Sequence, residues 1–249
     1  MQQSSLDLNH QSHAFIDDRY IDQFERYWTQ FADTVNAQCH IRKTTSSPHF
    51  SRLNSSDCLA ISECLSSIYQ QLLKAYTEPH RAYHTVQHIV ECLDLFHQIK
   101  HLLIDSFAVE LAIWFHDFIY QAQANDNELQ SAIHMQKLCQ TLNPIISLEK
   151  VHDWIIATQQ HQASTDSDLQ YLLDIDLAIL GSPATRFAEY QQQIRFEYSW
   201  VDADVYQRKR TAVLQHFYDL QPIYRTQIIQ TQLEQQARVN LNQAIHGTV

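Results

Sequence analysis

The residues that suggest chemistry are those that interrupt apolar stretches. From Leu111 to Ile119 every residue is apolar except His116 and Asp117. An unpaired carboxylate in such surroundings is strongly destabilising, so something must compensate its charge. A metal ion does so, because it accepts imidazole nitrogen and carboxylate oxygen alike and reverses the local desolvation logic. A satisfied core His–Asp hydrogen bond, or a buried pairing with arginine, is the alternative. His84 and His88 are four apart, which on a helix places both on one face; the sequence leaves open whether His84 lies inside the helix or in the turn before it. Asp174 and Asp176 sit in the apolar stretch Tyr171 to Leu180 and, two apart on a helix, lie on nearly opposite faces. The stripe Leu169, Leu172, Leu173, Asp176 and Leu180 selects Asp176 as the inward acid, while Asp174 shares its face with Gln170. On a strand both acids would face one way, and the choice would fail. Together His88, His116, Asp117 and Asp176 offer two nitrogen and two oxygen ligands. Such mixed ligation suits Mn, Fe, Co, Ni, Zn or Mg with bound water, not a closed thiolate site.

The framework that must position these groups is predicted to be all-α. Of 249 residues only 2 are glycine. That is too few for the glycine-built phosphate cradles of Rossmann and P-loop proteins, and it disfavours hairpin-rich β folds. With 5 prolines, few residues remain to interrupt long helices. A formal charge of −11 argues against nucleic acid or an anionic membrane as the main partner. No apolar run reaches the length of a membrane span, and residues 1–13 have no apolar core of a signal sequence, so a cytoplasmic protein is expected. The 5 cysteines form no C-x-x-C pair and read as reduced, mostly buried thiols.

Apolar residues at three- and four-residue steps predict a helix over Asp17 to Asn36, followed by a long polar loop over Gln38 to Asn54. Ser56 or Asp57 is expected to cap a helix through Ala75, and Pro79 to break the chain before a helix that reaches Leu102. Ala108 to Tyr120 is apolar nearly all round and is expected to be a core helix. Asn125 and Glu128 have capping-box spacing and open a helix that ends before Pro144. Ser147 caps a helix to Gln160. Asp168 to Leu180 is closed by Gly181, and Ser182-Pro183 opens a helix toward Trp200. Two more helices follow, about Asp202 to Asp219 and Tyr224 to His246. The expected organisation is an N-terminal tail over residues 1–16 and one all-α domain over 17–249.

The order H…HD…D in a glycine-poor helical chain resembles the HD superfamily of metal-dependent phosphohydrolases. The stretches that carry the likeness are Arg81-Ala-Tyr-His-Thr-Val-Gln-His-Ile89, Leu111-Ala-Ile-Trp-Phe-His-Asp-Phe-Ile-Tyr120, Asp126-Asn-Glu128 before Ser131-Ala132, and Leu172-Leu-Asp-Ile-Asp-Leu-Ala-Ile-Leu-Gly181. They resemble a bacterial subgroup described as predicted HD phosphohydrolases, and the likeness extends to about residue 245 without the first 16 residues. The resemblance implies a single HD-type domain with additional terminal helices, and metal ligands at His88 (or His84), His116, Asp117 and Asp176. The Tyr83-His84-x-x-x-His88 spacing is also similar to cyclic-nucleotide phosphodiesterases, which implies His84 as general acid and His88 as ligand. The further histidine that follows the His-Asp pair in that group has no counterpart in Phe118-Ile-Tyr-Gln121. Other HD enzymes with two metals use histidines on intervening helices; His134 and His161 are the candidates, His161 fitting the subgroup better and His134 reading as a surface residue.

The function expected is therefore hydrolysis of a phosphate ester or anhydride of a small molecule, such as a nucleotide. A divalent metal would supply an activated water and polarise the phosphoryl group. His84 would protonate the leaving oxygen. Asp126 or Glu128 would orient the water, or else serve as helix-start charge. Arg81, Arg195 and Arg210 are candidates for gripping phosphate, surface salt bridging being the alternative for each. Two other classes stay open: a di-iron HD-type oxygenase, and a non-catalytic nucleotide sensor.

Overall fold

A computed structural model describes residues 17–44, 53–143 and 145–247. Among them every regular element is helical, so the fold is all-α. The chain forms two compact units, Met1–Gln160 and His161–Val249. The tail expected over residues 1–16, and Pro144, lie outside the described residues.

The first unit contains α1 (Asp18–Thr44), α2 (Ser55–Tyr76), α3 (Val86–Ile99), α4 (Ser106–Phe115), α5 (Asn127–Leu138) and α6 (Leu148–Ala157). Helix α1 buries Phe24, Trp28, Phe31 and Val35 and packs on α2 and α3. It does not stop near Asn36 as its polar continuation suggested. Cys39 extends the stripe by one more turn and is buried, since a free cysteine behaves as a small hydrophobe, and the helix runs on to Thr44. The remainder of the expected loop, 45–52, lies outside the described residues. Helix α2 is capped by Asn54 instead of Ser56 or Asp57: Asn54 Oδ1 accepts from the Asp57 amide at 3.0 Å, and Asp57 Oδ2 accepts from the Asn54 amide at 2.8 Å. That reciprocal pair is a capping box. The box expected from Asn125 and Glu128 does not form; Asp126 precedes α5 without a side-chain cap.

Helix α4 is buried on every side from Ala108 to Phe115, as its composition requires. Trp114 meets the edges of Phe24 at 4.9 Å and Trp28 at 5.1 Å, both nearly perpendicular, which is the favoured aromatic geometry. The helix nevertheless ends at Phe115 and does not continue to Tyr120. His116 and Asp117 therefore occupy a turn.

The second unit contains α7 (Ser167–Asp176), a 3₁₀ segment over Leu177–Gly181, α8 (Ala184–Glu197), α9 (Ala203–Asp219) and α10 (Gln227–His246). Asp174 is the more deeply buried acid of α7, at 1% exposed, while the Asp176 side chain is 16% exposed. Asp174 accepts from the amides of Arg225 at 3.0 Å and Thr226 at 2.7 Å, from Thr226 Oγ1 at 2.6 Å and from Gln170 at 3.1 Å. The Gln170 face, polar by sequence, thus receives the strand of chain that leads into α10, which explains why α10 begins at Gln227 and not at Tyr224. Gly181 does not serve as a left-handed helix terminus. A Cβ there would stand 2.6 Å from Leu233 Cβ, so the glycine permits α10 to approach closely. The left-handed cap is Gly247, at φ +66° after α10.

Candidate metal centre

Three ligand atoms converge in the first unit. His88 lies on the first turn of α3, after Thr85 caps that helix by accepting from the Gln87 amide at 3.3 Å. His116 and Asp117 form the turn after α4. On a helix, consecutive side chains diverge by about 100°; the turn is what lets both reach one point. His116 Nε2 stands 3.1 Å from His88 Nε2 and 3.1 Å from Asp117 Oδ2, while His88 Nε2 is 3.3 Å from the same oxygen.

The donor set fits a metal. His116 Nδ1 lies 2.9 Å from the Ile113 carbonyl, which can only accept, so in the neutral imidazole Nδ1 carries the proton and Nε2 presents a lone pair. The Asp117 carboxylate also only accepts. His88 Nε2 alone is left to supply a proton, and one proton cannot serve all of the close pairs. A cation with bonds of about 2.1 Å would put ligand atoms roughly 3.0 Å apart at right angles and about 3.4 Å apart at tetrahedral angles, which brackets the observed triangle. The hydrogen bond from His116 to a backbone carbonyl is also the usual device that orients a ligating imidazole. Both histidine side chains are 3% exposed and Asp117 is 15% exposed, so the cluster opens on the carboxylate side. Burial pushes the Asp117 carboxyl up, but His116, His84 and His88 outweigh it and hold the group well below the usual carboxylate range. Cys92, one turn beyond His88, places Sγ 3.7 Å from His88 Nδ1.

His84 lies in the turn before α3, which answers the question the sequence left open. Its ring is partly exposed and stacks on Tyr120 at 4.0 Å, and it is 6.1 Å from the His88 ring. It is thus beside the cluster and not within it. Asp126 and Glu128 are half-buried at the start of α5; Asp126 Oδ2 accepts from Gln130 at 3.0 Å and Glu128 Oε2 from Gln159 at 3.2 Å. His134 is exposed, with Nδ1 2.8 Å from the Gln130 carbonyl of its own helix, as expected of a surface histidine. In the second unit, His161 Nε2 stands 2.9 Å from Asp176 Oδ2, and His161 holds a positive φ of 49°, a region few residues other than glycine occupy.

The arginines proposed to grip phosphate are engaged within the protein. Arg81 is 1% exposed, and its guanidinium donates to Glu78 Oε2 at 3.0 Å and to the carbonyls of Asp117 at 2.7 Å, Phe118 at 2.8 Å and His84 at 3.2 Å. A guanidinium consumed by backbone oxygens in the interior is not available to a ligand. Arg195 donates to the Tyr198 carbonyl at 2.8 Å, closing the end of α8, and lies over the Tyr206 ring. Arg210 donates through two nitrogens to Gln191 Oε1, at 2.9 and 2.7 Å, and lies over Tyr190.

Sequence reasoning missed the residues that shape the His-Asp turn. Ser131 Oγ accepts from the Ile119 amide at 2.9 Å, and Asn127 pairs with both backbone groups of Gln121 at 3.0 Å. With Arg81, they take up backbone groups of residues 117–121 that a continuing helix would have used, and so keep the chain from continuing α4 past His116. The signal was present in Asn127 and Ser131, polar residues spaced four apart on one face of α5, but their partners are set only by the fold. No family model, curated protein or solved structure matches this chain.

Proposed function

We propose that the chain is a metal-dependent phosphohydrolase acting on an ester or anhydride of a small phosphorylated molecule, with nucleotides as the first class to test. The observation that carries this reading is the triangle of His88 Nε2, His116 Nε2 and Asp117 Oδ2, with sides of 3.1 to 3.3 Å. A bound divalent ion supplies a water of lowered pKa and polarises the phosphoryl oxygen.

The chain's own groups account for the other requirements. His116 is oriented by Ile113, and the α3 cap fixes His88. His84, on the rim beside the cluster, is placed to give a proton to the departing oxygen, a role in which imidazole commonly serves. Asp126 and Glu128 hold their candidate role in orienting water. The exposed His134, bonded to its own helix, favours hydrolysis over di-iron oxygenation, which needs further ligands of that kind. Phosphate release from a panel of phosphorylated metabolites, measured on metal-loaded protein with His88→Ala as control, tests the proposal. Release by the wild type alone supports it; none from any substrate by metal-loaded wild type contradicts it.

A further inference from the structure

The Arg81 side chain is fully buried, and a buried cation is tolerated only where its donors are taken up. Here the donors do more than satisfy a charge. Nη1 joins the His84 carbonyl at 3.2 Å to the Asp117 carbonyl at 2.7 Å, and Nη2 takes the neighbouring Phe118 carbonyl at 2.8 Å. The same cation lies 5.6 Å from the centre of the Tyr120 ring, the platform on which the His84 ring stacks at 4.0 Å. One planar group therefore touches the backbone of the rim histidine, the backbone of a cluster residue and the ring that sets the histidine's orientation.

We propose that Arg81 is the positioning residue that fixes the His84 ring relative to the His88, His116 and Asp117 cluster. Its importance for turnover rests on the hydrolase reading, but its geometry does not. The role requires a rigid fork. Lysine keeps the charge as a point on a flexible stem and cannot hold three carbonyls from two segments in one plane.

The test uses the full chain with ¹³C-labelled histidine. In the wild type, His84 ring protons should show contacts to Tyr120 and an upfield ring-current shift. Arg81→Lys should keep the helical circular dichroism signal, lose the His84–Tyr120 contacts and bind Co²⁺ at least about tenfold more weakly, because the Asp117 carbonyl also loses its anchor. Added guanidinium should restore both in Arg81→Ala. If Arg81→Lys fails to fold, guanidinium rescue of Arg81→Ala provides the second reading, because the added cation can occupy the carbonyl site that Nη1 and Nη2 leave. A folded Arg81→Lys that retains the wild-type stack, or Arg81→Ala whose stack is the same with and without guanidinium, overturns the proposal. Failure of the wild type to bind Co²⁺ would instead remove the hydrolase reading while leaving the stacking result to judge Arg81.

Discussion

Asp117 follows His116 directly, yet Oδ2 of one and Nε2 of the other stand 3.1 Å apart and share a vertex with His88. This depends on the chain leaving the helix at His116, the C-cap whose amide still bonds the Ala112 carbonyl. The cluster is thus a product of where α4 ends as much as of residue identity.

Asp117→Ala should abolish binding of divalent metal while the helical content survives, because the removed group is an acceptor at the edge of the core. Metal titration followed by circular dichroism measures both. Unchanged metal binding with reduced stability would support a buried His–Asp pair in place of a metal centre.

His88 and His84 should separate in function although they share a segment. His88→Ala should lose metal. His84→Ala should keep it and lose about 10²- to 10⁴-fold in rate, the usual range for a general acid, with a smaller loss for substrates whose leaving group needs no proton. Equal metal loss in both variants would refute the division.

Asp174 and Asp176 should also separate, in the second unit. Asp174→Ala strands several donors at the start of α10 and should destabilise that unit by about 3 kcal/mol. Asp176→Ala should cost far less stability, since Asp176 is half-buried and its carboxylate pairs with His161 at 2.9 Å. Urea unfolding of the two variants makes the comparison; equal losses would contradict it.

Glu110, buried on α4, has its carboxyl pushed up to about 7 by desolvation, with Lys100 and Trp114 opposing weakly. Because the folded form holds its proton more tightly than the unfolded chain, its contribution is fully present below the ordinary carboxylate value of 4.5 and is lost as pH rises through about 7. Glu110→Gln should remove that slope and stabilise the protein at pH 8 by up to roughly 3 kcal/mol. Chemical unfolding at pH 5 and pH 8 checks this. A variant that keeps the wild-type pH slope would refute the assignment.

The all-α fold was legible because periodicity and the scarcity of glycine depend on local sequence alone. The core position of α4 and the isolation of His116 and Asp117 followed from the same reasoning. Details that depend on tertiary partners were not legible. The stripe along Leu169, Leu172 and Leu173 pointed to Asp176, because nothing local shows that Arg225 and Thr226 dock on Asp174. Arg81 stood as a candidate for phosphate or for a surface salt bridge because guanidinium geometry suits phosphate, carboxylate and carbonyls alike, and only the fold shows which it meets. Cys39 was read within a polar loop, since its burial depends on the helix packed opposite it.

Metal analysis of natively purified protein, combined with phosphate-release and oxygen-uptake assays on the same sample, tests the central claim most directly. The account predicts a divalent ion that is lost in His88→Ala, restoration of phosphate release when Mn²⁺ or a similar ion is returned to stripped protein, and no oxygen consumption. Two irons per chain with substrate-dependent oxygen uptake and no phosphate release would contradict it.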